Sequence, residues 1–361
     1  MLNRRQGLKA ALAMAGLAVA PALAHADAPA VVSLSERRNR FLAEVEIDGR
    51  PGYRFVLDTG ASTHFVSSRV AQALSLPRLE QRRVRGYDGR RMEDVVGLSQ
   101  LRVGGVDLGP SRAIAWSAER LEDHDGLIGY PLLFPQAVVA LGQGRLSLRA
   151  PPPELQTSVA AEVMRNQTLL LGGLEGAPGR FVFDTGAQDC TLAPAFFAKA
   201  ARSPAYQDAP KLIYRHEDGS TETAAFRPAA MSFGAFRIEE PVVRVGTVDG
   251  REGVFEAVDG LFGVSLIRQF TWALDQERRT LSAASGGGGG RVGMTGAGVR
   301  LRGGGGMLRV AGVQEGGPAF DAGVRPGQRV LAVAQDGGRP VLDLIDRGRR
   351  RVVELDVWEL L

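Results

Sequence analysis

The chain has 361 residues, 44% of them hydrophobic and 23% charged, a balance that admits two or three cored domains and excludes a disordered or fibrous chain. Its 47 glycines and 6% aromatic content suit a turn-rich β protein better than a helical bundle. The formal charge of +4 includes Arg4, Arg5 and Lys9, and no acidic residue precedes Asp27. Without the first 26 residues the charge is 4 − 3 = +1, so the basicity of the whole chain says little about nucleic-acid or membrane partners.

Residues 1–26 read as a signal peptide: a basic start, an apolar stretch from Leu8 to Leu23, and Ala24-His25-Ala26 as a small-x-small cleavage site. The run Arg4-Arg5-Gln6-Gly7-Leu8-Lys9 resembles a twin-arginine export signal, with Gly7 where an aromatic residue is usual. The expected location is therefore periplasmic or secreted. No later segment is long and apolar enough for a membrane span. Cys190 is the single cysteine, so no intrachain disulfide is expected. It reads as an inert buried hydrophobe, since no His stands in a partner motif.

From Phe41 to Ile47 apolar and polar residues alternate, as in a half-buried strand. Asp48-Gly49-Arg50-Pro51-Gly52 is hairpin chemistry, and Tyr53 to Leu57 returns as a strand ending at Asp58. A short helix is expected within Ser67–Leu76, a hairpin over Val84–Val96 with Tyr87-Asp88-Gly89 at its tip, and a strand pair over Leu101–Leu108. Gln136 to Leu148 closes this first unit, residues 33–150, before the stiff connector Pro151-Pro152-Pro153.

Residues 157–284 replay that order. Asp184-Thr185-Gly186 follows Phe181-Val182-Phe183 as Asp58-Thr59-Gly60 follows Phe55-Val56-Leu57, an offset of 184 − 58 = 126. Asp259-Gly260-Leu261-Phe262-Gly263 echoes Asp125-Gly126-Leu127-Ile128-Gly129, and the closing hairpin Gln269–Leu281 matches Gln136–Leu148 at 269 − 136 = 133. A repeat this long is a duplicated lobe, because solenoid units run roughly 20–50 residues. A Gly-rich linker over 285–292 then leads to a third unit, residues 293–361.

The paired loops Asp58-Thr59-Gly60-Ala61-Ser62 and Asp184-Thr185-Gly186-Ala187, each with a downstream apolar-apolar-Gly, resemble the signature of retropepsin-like aspartic proteases, fused in one chain as in the pepsins. One Asp-Thr-Gly arises by chance in on the order of one chain in ten; two with matched surroundings carry far more. The resemblance covers about Phe41 to Leu281 and implies a mainly β fold, two homologous barrel lobes about a pseudo-twofold axis.

It also implies an aspartic endopeptidase acting on peptides or unfolded protein, with Asp58 and Asp184 sharing one proton and water as nucleophile. Thr59 and Thr185 would bond across to the opposite loop, Gly60 and Gly186 would let the loops turn sharply, and Gly129 and Gly263 would lie beneath them. The Val84–Val96 hairpin would be a flap, with Tyr87 against substrate. Neither metal nor cofactor is implied. Two loops in one chain remove the need for a homodimer, so a monomer is expected. Gln188 departs from the pattern, standing where a hydroxyl residue is usual, although its side chain could still bond its own loop. That departure, with the shortness of the third unit, keeps open an alternative: a non-catalytic protein that binds peptides in the same cleft, with the PDZ-like third unit as a second binding module.

In the third unit, Gly316-Gly317-Pro318-Ala319-Phe320-Asp321-Ala322-Gly323-Val324-Arg325-Pro326-Gly327-Gln328 resembles the turn and short helix of bacterial PDZ domains, with Gln328 in place of Asp. By that resemblance Gly298, Val299 and Leu301 would hold a peptide terminus and its added strand. Val341 to Arg347 leaves little room for the helix that walls such a groove, so a closed appendage stands beside a working peptide site. No zinc-ligand spacing, Gly-x-Ser-x-Gly elbow, phosphate loop or basic-aromatic interleaving is present.

Overall fold

The computed structural model describes residues 30–86, 89–116, 124–129, 138–142, 144–148, 157–164, 167–207, 209–246, 257–275, 280–285, 294–304 and 307–359. The signal-like segment 1–26, Tyr87, the connector Pro151-Pro152-Pro153 and the linker residues 286–290 lie outside them. The described chain is mainly β, in two β lobes followed by a smaller unit.

Nine strands of the first lobe lie side by side in the order Arg78–Gly86, Gly89–Leu98, Ser111–Trp116, His64–Ser67, Gly126–Gly129, Arg50–Asp58, Phe41–Ile47, Leu101–Val103 and Val106–Asp107. The second lobe repeats the order with Lys211–Arg215, Thr221–Phe226, Val243–Val245, Thr191–Leu192, Gly260–Phe262, Ala177–Phe183, Gln167–Leu174, Ala230–Phe233 and Phe236–Glu239. Strand directions match as well. In each lobe the strand that ends at the Asp loop runs parallel to the later Gly-containing strand, Phe55 opposite Gly126 and Phe181 opposite Gly260.

A third sheet joins the lobes. Its antiparallel order is Ala30–Ser33, Arg145–Leu148, Val138–Gly142, Phe270–Asp275, Thr280–Ser285 and Thr157–Met164. At its centre Ala140 faces Ala273, flanked by Val139 opposite Leu274 and Leu141 opposite Trp272. Those partners exchange under the 133-residue offset (273 − 140 = 133), so the pseudo-twofold axis passes through the Ala140–Ala273 pair. The core below is apolar and largely aromatic in the second lobe. Phe233 stacks within 5.1–5.3 Å of Phe262, Phe270 and Trp272, arrangements that add to plain area burial.

The hairpin expected over Val84–Val96 is longer, Arg78–Gly86 paired with Gly89–Leu98. Its outer length carries Arg82, Arg83 and Glu80 without alternation, so periodicity alone does not reveal it.

The C-terminal unit has its own small core of Val310, Val313, Ala319, Val324, Val330, Leu342, Leu344 and Leu355. Where the sequence leaves little room for a long helix, Arg339–Asp346 and Arg349–Glu354 are adjacent antiparallel strands. The unit docks by strand addition: Met307–Gln314 pairs with Lys211–Arg215, Gln314 opposite Tyr214 and Val313 opposite Arg215. Among the described residues no helix is long and apolar enough to cross a membrane.

Candidate active site

Each Asp loop is the end of a buried strand. Phe55, Val56 and Leu57 are at most 3% exposed, as are Phe181, Val182 and Phe183, so burial fixes where Asp58 and Asp184 emerge. The chain then turns back. Ala61 N–H donates to Asp58 O at 3.4 Å and Ala187 N–H to Asp184 O at 3.3 Å.

The same turns wrap each carboxylate with amides. Asp58 Oδ1 accepts from Gly60 N (3.0 Å) and Ala61 N (2.9 Å), while Asp184 Oδ1 accepts from Gly186 N (2.9 Å) and Ala187 N (3.1 Å). The two carboxyls also lie within hydrogen-bonding reach of each other. A Cβ on Gly60 would sit 2.5 Å from the Asp184 carboxyl carbon, and one on Gly186 would sit 2.5 Å from Asp58 Oδ1. Each carboxyl therefore rests on the other lobe's glycine, and no larger residue fits there.

Beneath the carboxyls the threonines cross over. Thr59 Oγ1 donates to Phe183 O and Thr185 Oγ1 to Leu57 O, both at 2.6 Å. Each hydroxyl also accepts the other's backbone N–H at 3.0 Å. Gly129 and Gly263 pass under their loops, where a Cβ would run into the carbonyls of Thr63 and Asp189.

Burial and like charge set the electrostatics. Asp58 is pushed up to about 8, first by burial and then by the charge on Asp184. Asp184 is also raised by burial, against the opposing pull of its Gly186 and Ala187 amides. The pair thus retains a proton into the neutral range, and that proton belongs to both groups.

Two residues beneath the loops escape a reading by repeat. His64 Nδ1 accepts the Gly129 N–H at 3.1 Å, and burial lowers its pKa to about 4, leaving it neutral. Its counterpart in the second lobe is Cys190 (190 − 64 = 126), whose sulfur receives the Gly263 N–H. The pairing of a His with a Cys hides the equivalence in the sequence. Burial pushes the Cys190 thiol up to about 12, so it holds no useful thiolate. Cys190→Ala is expected to leave the titration of the Asp58–Asp184 pair unchanged while costing about 1–3 kcal/mol of stability. A moved carboxyl titration in a folded variant, by NMR beside a denaturant melt, would contradict this.

Asp125 and Asp259 are structural. They accept the backbone N–H of Arg54 (3.0 Å) and Arg180 (2.8 Å) at matching places, and Asp125 also binds Arg69 at 2.7 Å. Gln188 does not serve its own loop; its Nε2 donates to Arg38 O at 2.8 Å. Val84 of the long hairpin packs on the cluster of Phe65, Val95 and Ile114, together with Ala61 of the first Asp loop. Tyr87 lies outside the described residues. In the C-terminal unit Gly298 has φ +67 and its carbonyl accepts Gln314 N at 2.8 Å, while Val299 and Leu301 pair with Val313 and Val310.

Among the described residues no three His, Cys, Asp or Glu side chains gather as a metal site. A family model described as aspartyl protease matches residues 43–132 and 170–266, together more than half of the chain. No curated protein matches the chain.

Proposed function

Because the chain belongs to the aspartyl protease family, we propose that it is an endopeptidase whose Asp58 and Asp184 activate a water molecule between them. The observation that carries this reading is the mutual seating of the two carboxyls on Gly186 and Gly60. Peptide hydrolysis without metal or covalent intermediate needs one carboxylate to take a proton from water and one carboxyl to donate to the scissile carbonyl. A buried pair sharing one proton supplies both forms at once. Water adds to the carbonyl carbon, the carbonyl oxygen is protonated, and the tetrahedral diol collapses as a proton passes to the departing amine.

The alternative, peptide binding without turnover in the cleft and the PDZ-like unit, draws its sequence support from Gln188 and from the shortness of that unit. That side chain bonds Arg38, and Asp184 still receives both of its loop amides. Incubation with a mixed peptide library, with and without a statine-type inhibitor, tests the proposal by mass spectrometry. Inhibitor-sensitive cuts support it; an unchanged library at every pH from 3 to 8 rejects it.

The working range should be mildly acidic to neutral. The raised Asp58 value keeps the singly protonated pair present up to about pH 8. Ala61 and Ala187 place no hydroxyl beside either carboxylate to favour its ionised form. Ala61→Ser should supply one and move the alkaline limb of kcat/KM to lower pH. A wild-type optimum in strong acid, unmoved by the serine, would refute this account.

A further inference from the structure

The approach to strand Phe41–Ile47 is a two-residue turn closed by reciprocal Arg37–Arg40 backbone bonds of 3.0 Å, with Arg38 and Asn39 both at positive φ (49° and 52°). This stiff turn belongs to the first lobe, yet the second lobe grips it. Gln188 Nε2 donates to Arg38 O at 2.8 Å, and Arg268 Nη1 donates to Glu36 Oε1 (2.9 Å) and Asn39 Oδ1 (3.2 Å). Gln188 lies four residues beyond Asp184, and Arg268 caps the short helix Val264–Ile267 that follows Gly263.

The reciprocal contact exists on the other side. Gln167, first residue of strand Gln167–Leu174 in the second lobe, donates its Nε2 to Gly60 O in the first Asp loop. In both cases a glutamine amide runs between the Asp loop of one lobe and the start of the hairpin that leads to the Asp loop of the other. A serine or threonine at position 188 could serve its own loop but could not span the lobe boundary.

We propose that Gln167 and Gln188 are positioning residues of the carboxyl pair, bracing each Asp loop against the opposite lobe so that the Asp58–Asp184 separation is held from both sides. The inference rests on the reading of that pair as the reacting groups. The threonine crossing lies below and the glutamines brace the rim, so each brace tunes the spacing without creating it. The forces acting on the carboxyls are burial, each other, and the amides of Gly60, Ala61, Gly186 and Ala187. Separation weakens the first two and so lowers the upper titration of the pair.

Gln167→Met and Gln188→Met keep length and neutrality but remove the donor. Each is expected to lower kcat about 3- to 10-fold with KM nearly unchanged, and to move the alkaline limb of the pH profile down by about half a unit. Gln188→Ser should behave like the Met variant. Carbon-13 NMR titration of the Asp carboxyls reads the pair whether or not the protein turns over. Should the wild type cleave nothing, the endopeptidase reading fails, and a downward carboxyl shift in the Met variants still supports the braces. Wild-type kcat, pH limb and carboxyl titration in both Met variants would overturn the inference. So would a Gln188→Ser variant more active than wild type, since that marks position 188 as a degraded loop residue.

Discussion

Asp58→Asn and Asp184→Asn are each expected to lower kcat/KM by about 10³-fold or more and, at the same time, to make the protein more stable at neutral pH. The first effect follows from the proposed mechanism, in which each group lost would accept or return a proton. The second follows from linkage. A carboxyl whose folded value is raised contributes stability that is fully present below its unfolded value and is lost as pH rises through the folded one. For Asp58 that window runs from 3.8 to about 8. Above it the folded state must hold two buried like charges, at a cost on the order of a few kcal/mol. Asparagine carries no charge and still accepts the Gly60 and Ala61, or Gly186 and Ala187, amides. Denaturant unfolding at pH 4 and pH 8 should therefore show wild type losing stability between them and each variant losing less. A variant that keeps near-normal turnover, or one no more stable than wild type at pH 8, would rule out a carboxyl pair held together against its own repulsion.

The duplication is legible because strand-ending Asp-Thr-Gly and the later Leu-Ile-Gly or Leu-Phe-Gly recur at nearly fixed offsets, and each residue type is tied to a backbone need. The lobe order is less so. Arg50–Asp58 lies parallel to Gly126–Gly129, a pairing between segments some seventy residues apart that no local alternation encodes. The inter-lobe sheet is similar: the matched closing hairpins are visible as a repeat, but their meeting at Ala140 and Ala273 is a tertiary fact.

The polar residues around the loops were hidden for a different reason. His64 and Cys190 do the same thing for Gly129 and Gly263 with unlike side chains. Gln167 lies at a strand end with no motif around it. Gln188 read as a departure from a pattern, because a contact reaching back to Arg38, 150 residues earlier, leaves no trace in the residues next to it. In the C-terminal unit the lack of helix-length sequence near Val341 was legible, and strands Arg339–Asp346 and Arg349–Glu354 occupy that stretch. Its strand addition to the hairpin of the second lobe depends on an exposed edge that composition does not report.

Thr59→Val and Thr185→Val should be the most damaging single substitutions for the fold of the lobe interface. Valine matches threonine in shape, so packing is kept while the hydroxyl is lost. Thr59 is 2% exposed and Thr185 fully buried, and no solvent can replace what the hydroxyl did. Removing Thr59 Oγ1 leaves Phe183 O without its donor and Thr185 N–H without its acceptor; removing Thr185 Oγ1 does the same to Leu57 O and Thr59 N–H. Two stranded buried groups at about 1–3 kcal/mol each give a loss of about 2–6 kcal/mol per substitution, a large share of the stability of an ordinary domain. The two hydroxyls also touch each other at 3.4 Å, a contact that either substitution removes, so the double variant should fall slightly short of the sum. Thr→Ser at either position keeps the hydroxyl and should recover most of both stability and turnover. Denaturant unfolding of the five variants with wild type forms the cycle. If the Val variants melt like wild type, or the serines fail to rescue them, then the crossing below Asp58 and Asp184 is a passive contact and the spacing of the pair is set by the inter-lobe sheet and the contacts above it.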